Sequence, residues 1–107
     1  MQVNTSGEKT KFGASVEEIY ELAERVGAMK HIKVRGMMTI APLYVSNVSN
    51  TLHFNNTREL CIDIMKKKYD NINMDYLSMG MSGDFEEAIM CGSNMVRVGS
   101  AIFGKRY

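Results

Sequence analysis

"MDYLSMGMSGDFEEAIMCGSNMVRVGSAIFG", residues 74–104, is the stretch whose reading decides the fold. "MDYLSMG" reads as a strand, "DFEEAIMCG" as a short helix and "NMVRVGSAIF" as a second strand. A strand, a helix and a strand in such a short span imply a parallel pair joined by a right-handed crossover. Each strand runs into a turn that combines glycine with a hydroxyl residue, "GMSGD" and "GSAIFG".

The same alternation continues toward the amino terminus. "SVEE" at residues 15–18 is a capping box, with Ser15 as N-cap and Glu18 reaching back to it. Val16, Ile19, Tyr20, Ala23 and Val26 follow at helical spacing, and Gly27 ends the run. "IKVRGMMTIAP" is a β-branched, extended segment stopped by Pro42. The Asn- and Ser-rich residues 43–56 read as a loop that leads into a helix over 51–68, with Phe54, Leu60, Cys61, Ile64 and Met65 as its buried stripe. Lys66, Lys67 and Lys68 complement the negative end of that helix. "MQVN" is a further short strand candidate. The order is therefore (β)αβαβαβ, an α/β chain with a parallel sheet.

Composition narrows the function classes. With 107 residues the chain holds one domain at most. A formal net charge of +1 gives no electrostatic drive toward nucleic acid or an anionic membrane. No apolar run approaches the ~20 residues that span a bilayer, and the opening "MQVNTSGEKTKFG" lacks the apolar core of a secretory signal. Cys61 and Cys91, without CxxC spacing, suit reduced thiols in a cytoplasmic protein.

In parallel α/β proteins, ligands sit outside the carboxyl ends of the strands. Both glycine turns fall on that edge, where backbone N–H groups can approach an anion closely and Ser82 adds a hydroxyl. A phosphate group suits such a place. Asp84 with Glu87 reads more simply as a helix-capping pair. Alternation puts Val96 and Val98 on one face of the last strand and Arg97 on the other. A buried arginine needs a carboxylate, a phosphate or a ligand heteroatom. Ser78 shares that face by the same alternation. His31 and His53 have no partner pattern. Lys9, Lys11 and Lys33 lack the apolar setting that lowers a lysine pKa.

The motifs "VRGMMTIAP", "LSMGMSGDFEEAI" and "MVRVGSAIFGKRY" closely resemble the pyridoxal phosphate homeostasis proteins, from Val3 to Tyr107. The resemblance implies a (β/α)8 barrel related to the amino-terminal domain of alanine racemase that binds pyridoxal 5'-phosphate (PLP). It implies that Ser82, Gly99 and Ser100 hold the phosphate, with Arg97, Ser78 and Met38 toward the pyridine ring. It further implies a carrier that buffers PLP and amino-acid pools rather than a catalyst. Family members are about twice as long, so residues 1–107 are expected to form one partial domain, the carboxyl-terminal half of the barrel. That half has about four parallel strands with three covering helices, and it lacks the Schiff-base lysine. Its open inner face calls for a second copy or a separate amino-terminal half. The alternatives are a racemase-like PLP enzyme completed by another chain, or an interaction module without cofactor.

Overall fold

The computed structural model describes residues 1–5, 12–42 and 50–104. Four strands, β1 (Gln2–Val3), β2 (Val34–Thr39), β3 (Ile72–Met81) and β4 (Met95–Arg97), alternate with helices α1 (Val16–Gly27), α2 (Thr51–Lys66), α3 (Phe85–Met90) and α4 (Ser100–Phe103). The sheet order is β1-β2-β3-β4 and every pairing is parallel. Sequential order without a switch point is the progression of a (β/α)8 barrel rather than of a doubly wound sheet.

The start of α1 is fixed locally. Ser15 and Glu18 form the expected capping box, with Ser15 Oγ accepting from the Glu18 amide at 3.1 Å. At the other end of α1, Asn71 Nδ2 donates to the carbonyls of Val26, Met29 and Ile32. Free C-terminal carbonyls of a helix need such donors. Tyr20 of α1 donates its hydroxyl to Asp63 Oδ2 of α2 at 3.0 Å.

On α2 the buried residues are Phe54, Thr57, Leu60, Cys61 and Ile64. Met65, expected in that stripe, is 41% exposed. Thr57 satisfies its buried hydroxyl by donating to the His53 carbonyl at 2.9 Å. His53 itself lies in the first turn of α2, half-buried, with Nδ1 3.4 Å from Thr5 Oγ1, rather than in a loop.

Side-chain alternation sorts the two faces of the sheet. Met37 and Thr39 of β2, with Leu77 and Met79 of β3, are buried and join Phe54, Ile64, Ile19 and Ala23 beneath the helices. Tyr76 and Ser78 take the opposite face with Gly36 and Met38, their register partners. That face is open: Tyr76 is 42% and Met95 44% exposed. Gly36 is required there, since a Cβ would run into the Tyr76 carbonyl where the β2–β3 register shifts.

The last expected strand is corrected. It stops at Arg97, and Ser100–Phe103 forms a helical turn, with Phe103 N–H bonded to the Gly99 carbonyl at 2.9 Å. β4 also depends on side chains for its pairing. Ser93, 8% exposed, lies within hydrogen-bond distance of the Leu77, Met79 and Met95 carbonyls. Asn94 Oδ1 accepts from the Leu77 amide at 2.8 Å.

Burial pushes the Cys61 thiol pKa up to about 11. Since the thiolate is the reactive form, about one Cys61 in a thousand is ionised at pH 8, against about one in ten for a thiol at 9.0. Cys61 should therefore resist alkylation at pH 8 in the native protein and react promptly in denaturant, as mass spectrometry would show. A raised folded-state pKa favours the protonated, folded form. The contribution is thus complete below pH 9 and fades as pH rises toward 11. No helix among the described residues is long and apolar enough to cross a membrane.

Candidate functional site

The carboxyl ends of β2, β3 and β4 converge on one edge of the sheet. Gly80, next to last in β3, has φ +106°, and a Cβ there would press on Ala88 and Phe85 at 2.9 Å. Glycine lets the strand turn directly under α3. The next four residues close on themselves: the Asp84 amide donates to the Met81 carbonyl at 3.1 Å, and Asp84 Oδ1 accepts from the Met81 amide at 2.8 Å. Ser82 and Gly83 form the tip of this turn.

Ser82 Oγ accepts from the Gly99 amide at 3.2 Å and from the Ala101 amide at 3.0 Å. The two glycine turns therefore meet, as their spacing implies. Two backbone donors converge on one oxygen, which is the arrangement an anionic oxygen requires. Among the described residues, nothing lies within 4 Å of a Cβ built at Gly83 or at Gly99, so none of them blocks the approach to these donors. The donors and the open cradle fit a phosphate group. Ser100 is exposed at the start of α4 beside them. The Ala101 amide was not foreseen, because a continuing strand would have pointed it elsewhere.

Arg97 lies on the neighbouring part of the edge. Its Nη2 donates to the Thr39 carbonyl at 2.9 Å and, more weakly, to the Ser78 carbonyl at 3.4 Å. Its Nε is buried with no hydrogen-bond partner among the described residues. Desolvation lowers the Arg97 pKa from its ordinary value, and the nearby Asp84 charge opposes that shift. Met38 and Ser78 sit opposite each other in the β2–β3 register. Arg97, Ser78 and Met38 thus form a second cluster beside the Ser82 cluster, with polar capacity left on the guanidinium.

Asp84 does not form the expected cap with Glu87. It makes no side-chain bond to the α3 amides. Its carboxylate instead holds the Met81 amide and, through Oδ2, Asn50 Nδ2 at 3.0 Å. Glu87 Oε2 accepts from the Asn50 amide at 3.2 Å. A cavity of about 250 Å³ beside this turn is lined by Ser82, Asp84, Glu86 and Glu87 among others. Three carboxylates make it unsuited to an anion. A larger cavity of about 480 Å³ lies toward the amino ends of β3 and β4, between α2 and β3.

Lys9 and Lys11 lie outside the described residues, as do residues 43–49 of the expected loop. Lys33 is exposed just ahead of β2, at the amino edge, far from any role at the carboxyl ends. His31 is exposed.

Comparison with known proteins agrees with this geometry. The profile of the alanine racemase N-terminal domain matches residues 1–107. The chain belongs to the alanine racemase N-terminal domain family. The domain that names the family is the amino-terminal one of alanine racemase. Pyridoxal phosphate homeostasis proteins of Vibrio alginolyticus and Escherichia coli are 43% and 39% identical to it over 99% of this chain and 44% of their own length. The chain thus spans less than half the length of these relatives. PipY of Synechococcus elongatus, solved without PLP, superposes with a TM-score of 0.84 at 26% identity, over 96% of this chain and 47% of PipY. A PLP-bound PipY structure, 24% identical over 97% of this chain and 47% of PipY, shares the fold with a TM-score of 0.80.

Proposed function

We propose that this chain binds PLP through its phosphate group and serves PLP homeostasis rather than catalysis. The observation that carries this reading is the convergence of the Gly99 and Ala101 amides on Ser82 Oγ beneath an open glycine cradle. A phosphate oxygen would take the place that Ser82 Oγ holds, and the freed hydroxyl would donate to a second phosphate oxygen. Ser100 adds a hydroxyl at the same turn. Arg97, Ser78 and Met38 lie where a pyridine ring would extend, with the unpartnered Arg97 Nε as a donor to it. Bound PLP supplies an aldehyde that captures amines and a ring that withdraws electrons. In this reading the phosphate is the anchor and no lysine of this chain joins the aldehyde. The names of the relatives support PLP as the ligand.

Residues 1–107 would act as one partial barrel domain whose open face is covered by a second copy or by a complementary half. Tyr76, Met81 and Met95, each more than a third exposed on or beside that face, favour such a cover.

Calorimetric titration with PLP, inorganic phosphate and pyridoxal tests both points when paired with light scattering. PLP and phosphate are expected to saturate a single site, and pyridoxal to bind at least about tenfold more weakly, the worth of one charge-assisted contact. Absence of binding by both PLP and phosphate removes the phosphate reading. A monomeric mass with and without PLP removes the covering chain.

A further inference from the structure

We propose that Asp84 and Asn50 are positioning residues that hold Ser82 against the Gly99 and Ala101 amides, and so set the affinity for a phosphate-bearing ligand. The proposal rests on the phosphate reading above and names what tunes that site.

Hydrogen bonds link the ends of three strands in one line. Asn50 immediately precedes α2 and is buried, 8% exposed. Its Nδ2 donates to the Pro42 carbonyl at 3.1 Å and to Asp84 Oδ2 at 3.0 Å. Asp84 Oδ1 and the Asp84 amide then close the Met81–Ser82–Gly83–Asp84 turn from both sides. Ser82, carried by that turn, meets the two amides after β4. Displacing Asp84 therefore moves the Ser82 hydroxyl relative to both donors.

The chemistry of the brace explains why a carboxylate stands so near an anion cup. Two donors reach Asp84 from different elements, the Met81 amide and Asn50 Nδ2, and each takes a separate oxygen. Asparagine, the neutral isostere, has one acceptor oxygen for those two donors. By charge alone, Asp84 repels a phosphate and opposes its binding. Positioning and charge thus predict opposite signs for Asp84→Asn. Removing the charge would tighten phosphate binding, whereas loosening the turn weakens it.

The test measures amide hydrogen exchange at Gly99 and Ala101 by NMR, together with calorimetric affinities for PLP and pyridoxal. In Asp84→Asn, exchange at both amides should quicken at least about tenfold while α1 amides keep their rates, and PLP should bind about tenfold more weakly with pyridoxal unchanged. Asn50→Ala should act in the same direction with a smaller effect, since it leaves the Met81–Asp84 turn closed. Should Asp84→Asn fail to fold, Asn50→Ala decides the matter. Unchanged exchange at Gly99 and Ala101, or tighter PLP binding in Asp84→Asn, overturns the proposal. A wild-type chain that binds neither PLP nor phosphate overturns the phosphate reading instead, and the exchange rates still decide the brace.

Discussion

Phe54→Ala is expected to lower the stability of the native chain by about 3–5 kcal/mol, the range for truncating a buried phenylalanine. Phe54 is fully buried, at 0% exposure, and is first among the largest buried side chains. It sits in the first turns of α2, whose other buried residues pack against the same core. Domains of this size hold about 5–15 kcal/mol in total, so the variant should lose a large part of its unfolding free energy. Chemical denaturation followed by circular dichroism measures this through the midpoint. A loss below about 1 kcal/mol would mean that α2 is not seated on the sheet as described, because surface truncations fall in that range.

Gly99→Val is expected to abolish phosphate-dependent binding while leaving the fold intact. A Cβ at Gly99 has nothing within 4 Å among the described residues, and the residue's φ of −115° is not in the left-handed region that favours glycine. The branched side chain would occupy the approach to the Gly99 and Ala101 amides, which is the space a phosphate needs. Loss of at least about 100-fold in PLP affinity is anticipated, equivalent to about 2.8 kcal/mol. Stability should stay within about 0.5 kcal/mol of wild type, since the site is exposed and valine restricts the unfolded chain more than glycine does. Wild-type PLP affinity in this variant would place the ligand elsewhere.

The contrast between these two variants separates the core from the site. Phe54 fills a closed space and its loss leaves a void. Gly99 borders an open space, and its replacement fills one.

Much of the architecture was legible in residues 15–104. Ser15 and Glu18 announce α1 through local hydrogen bonding, and the structure shows that bond pattern. Alternation of β and α elements specifies a parallel sheet, because short crossovers pair strands only in that sense. The meeting of "GMSGD" with "GSAIFG" follows from the same order, since adjacent parallel strands put their carboxyl ends side by side.

Other features were not legible, for reasons of sequence distance. Asp84 and Glu87 have the spacing of a capping pair, yet both are drawn to Asn50, 34 and 37 residues away. Nothing local signals that competition. Ser100–Phe103 has apolar, strand-like composition, but it coils because the Ala101 amide and the Gly99 amide both find Ser82, 19 and 17 residues back. The bonds of Arg97 to the Thr39 and Ser78 carbonyls depend on how far β4 slides along β3.

The sequence by itself determined the order of elements and the parallel sheet, because periodicity, capping and crossover handedness act over a few residues. Only the tertiary structure decided which groups form the site. The Ala101 amide, Asn50 and the turn-closing carboxylate of Asp84 are brought together by contacts across three strands, and hydrogen-bond geometry at that range has no signature in the chain.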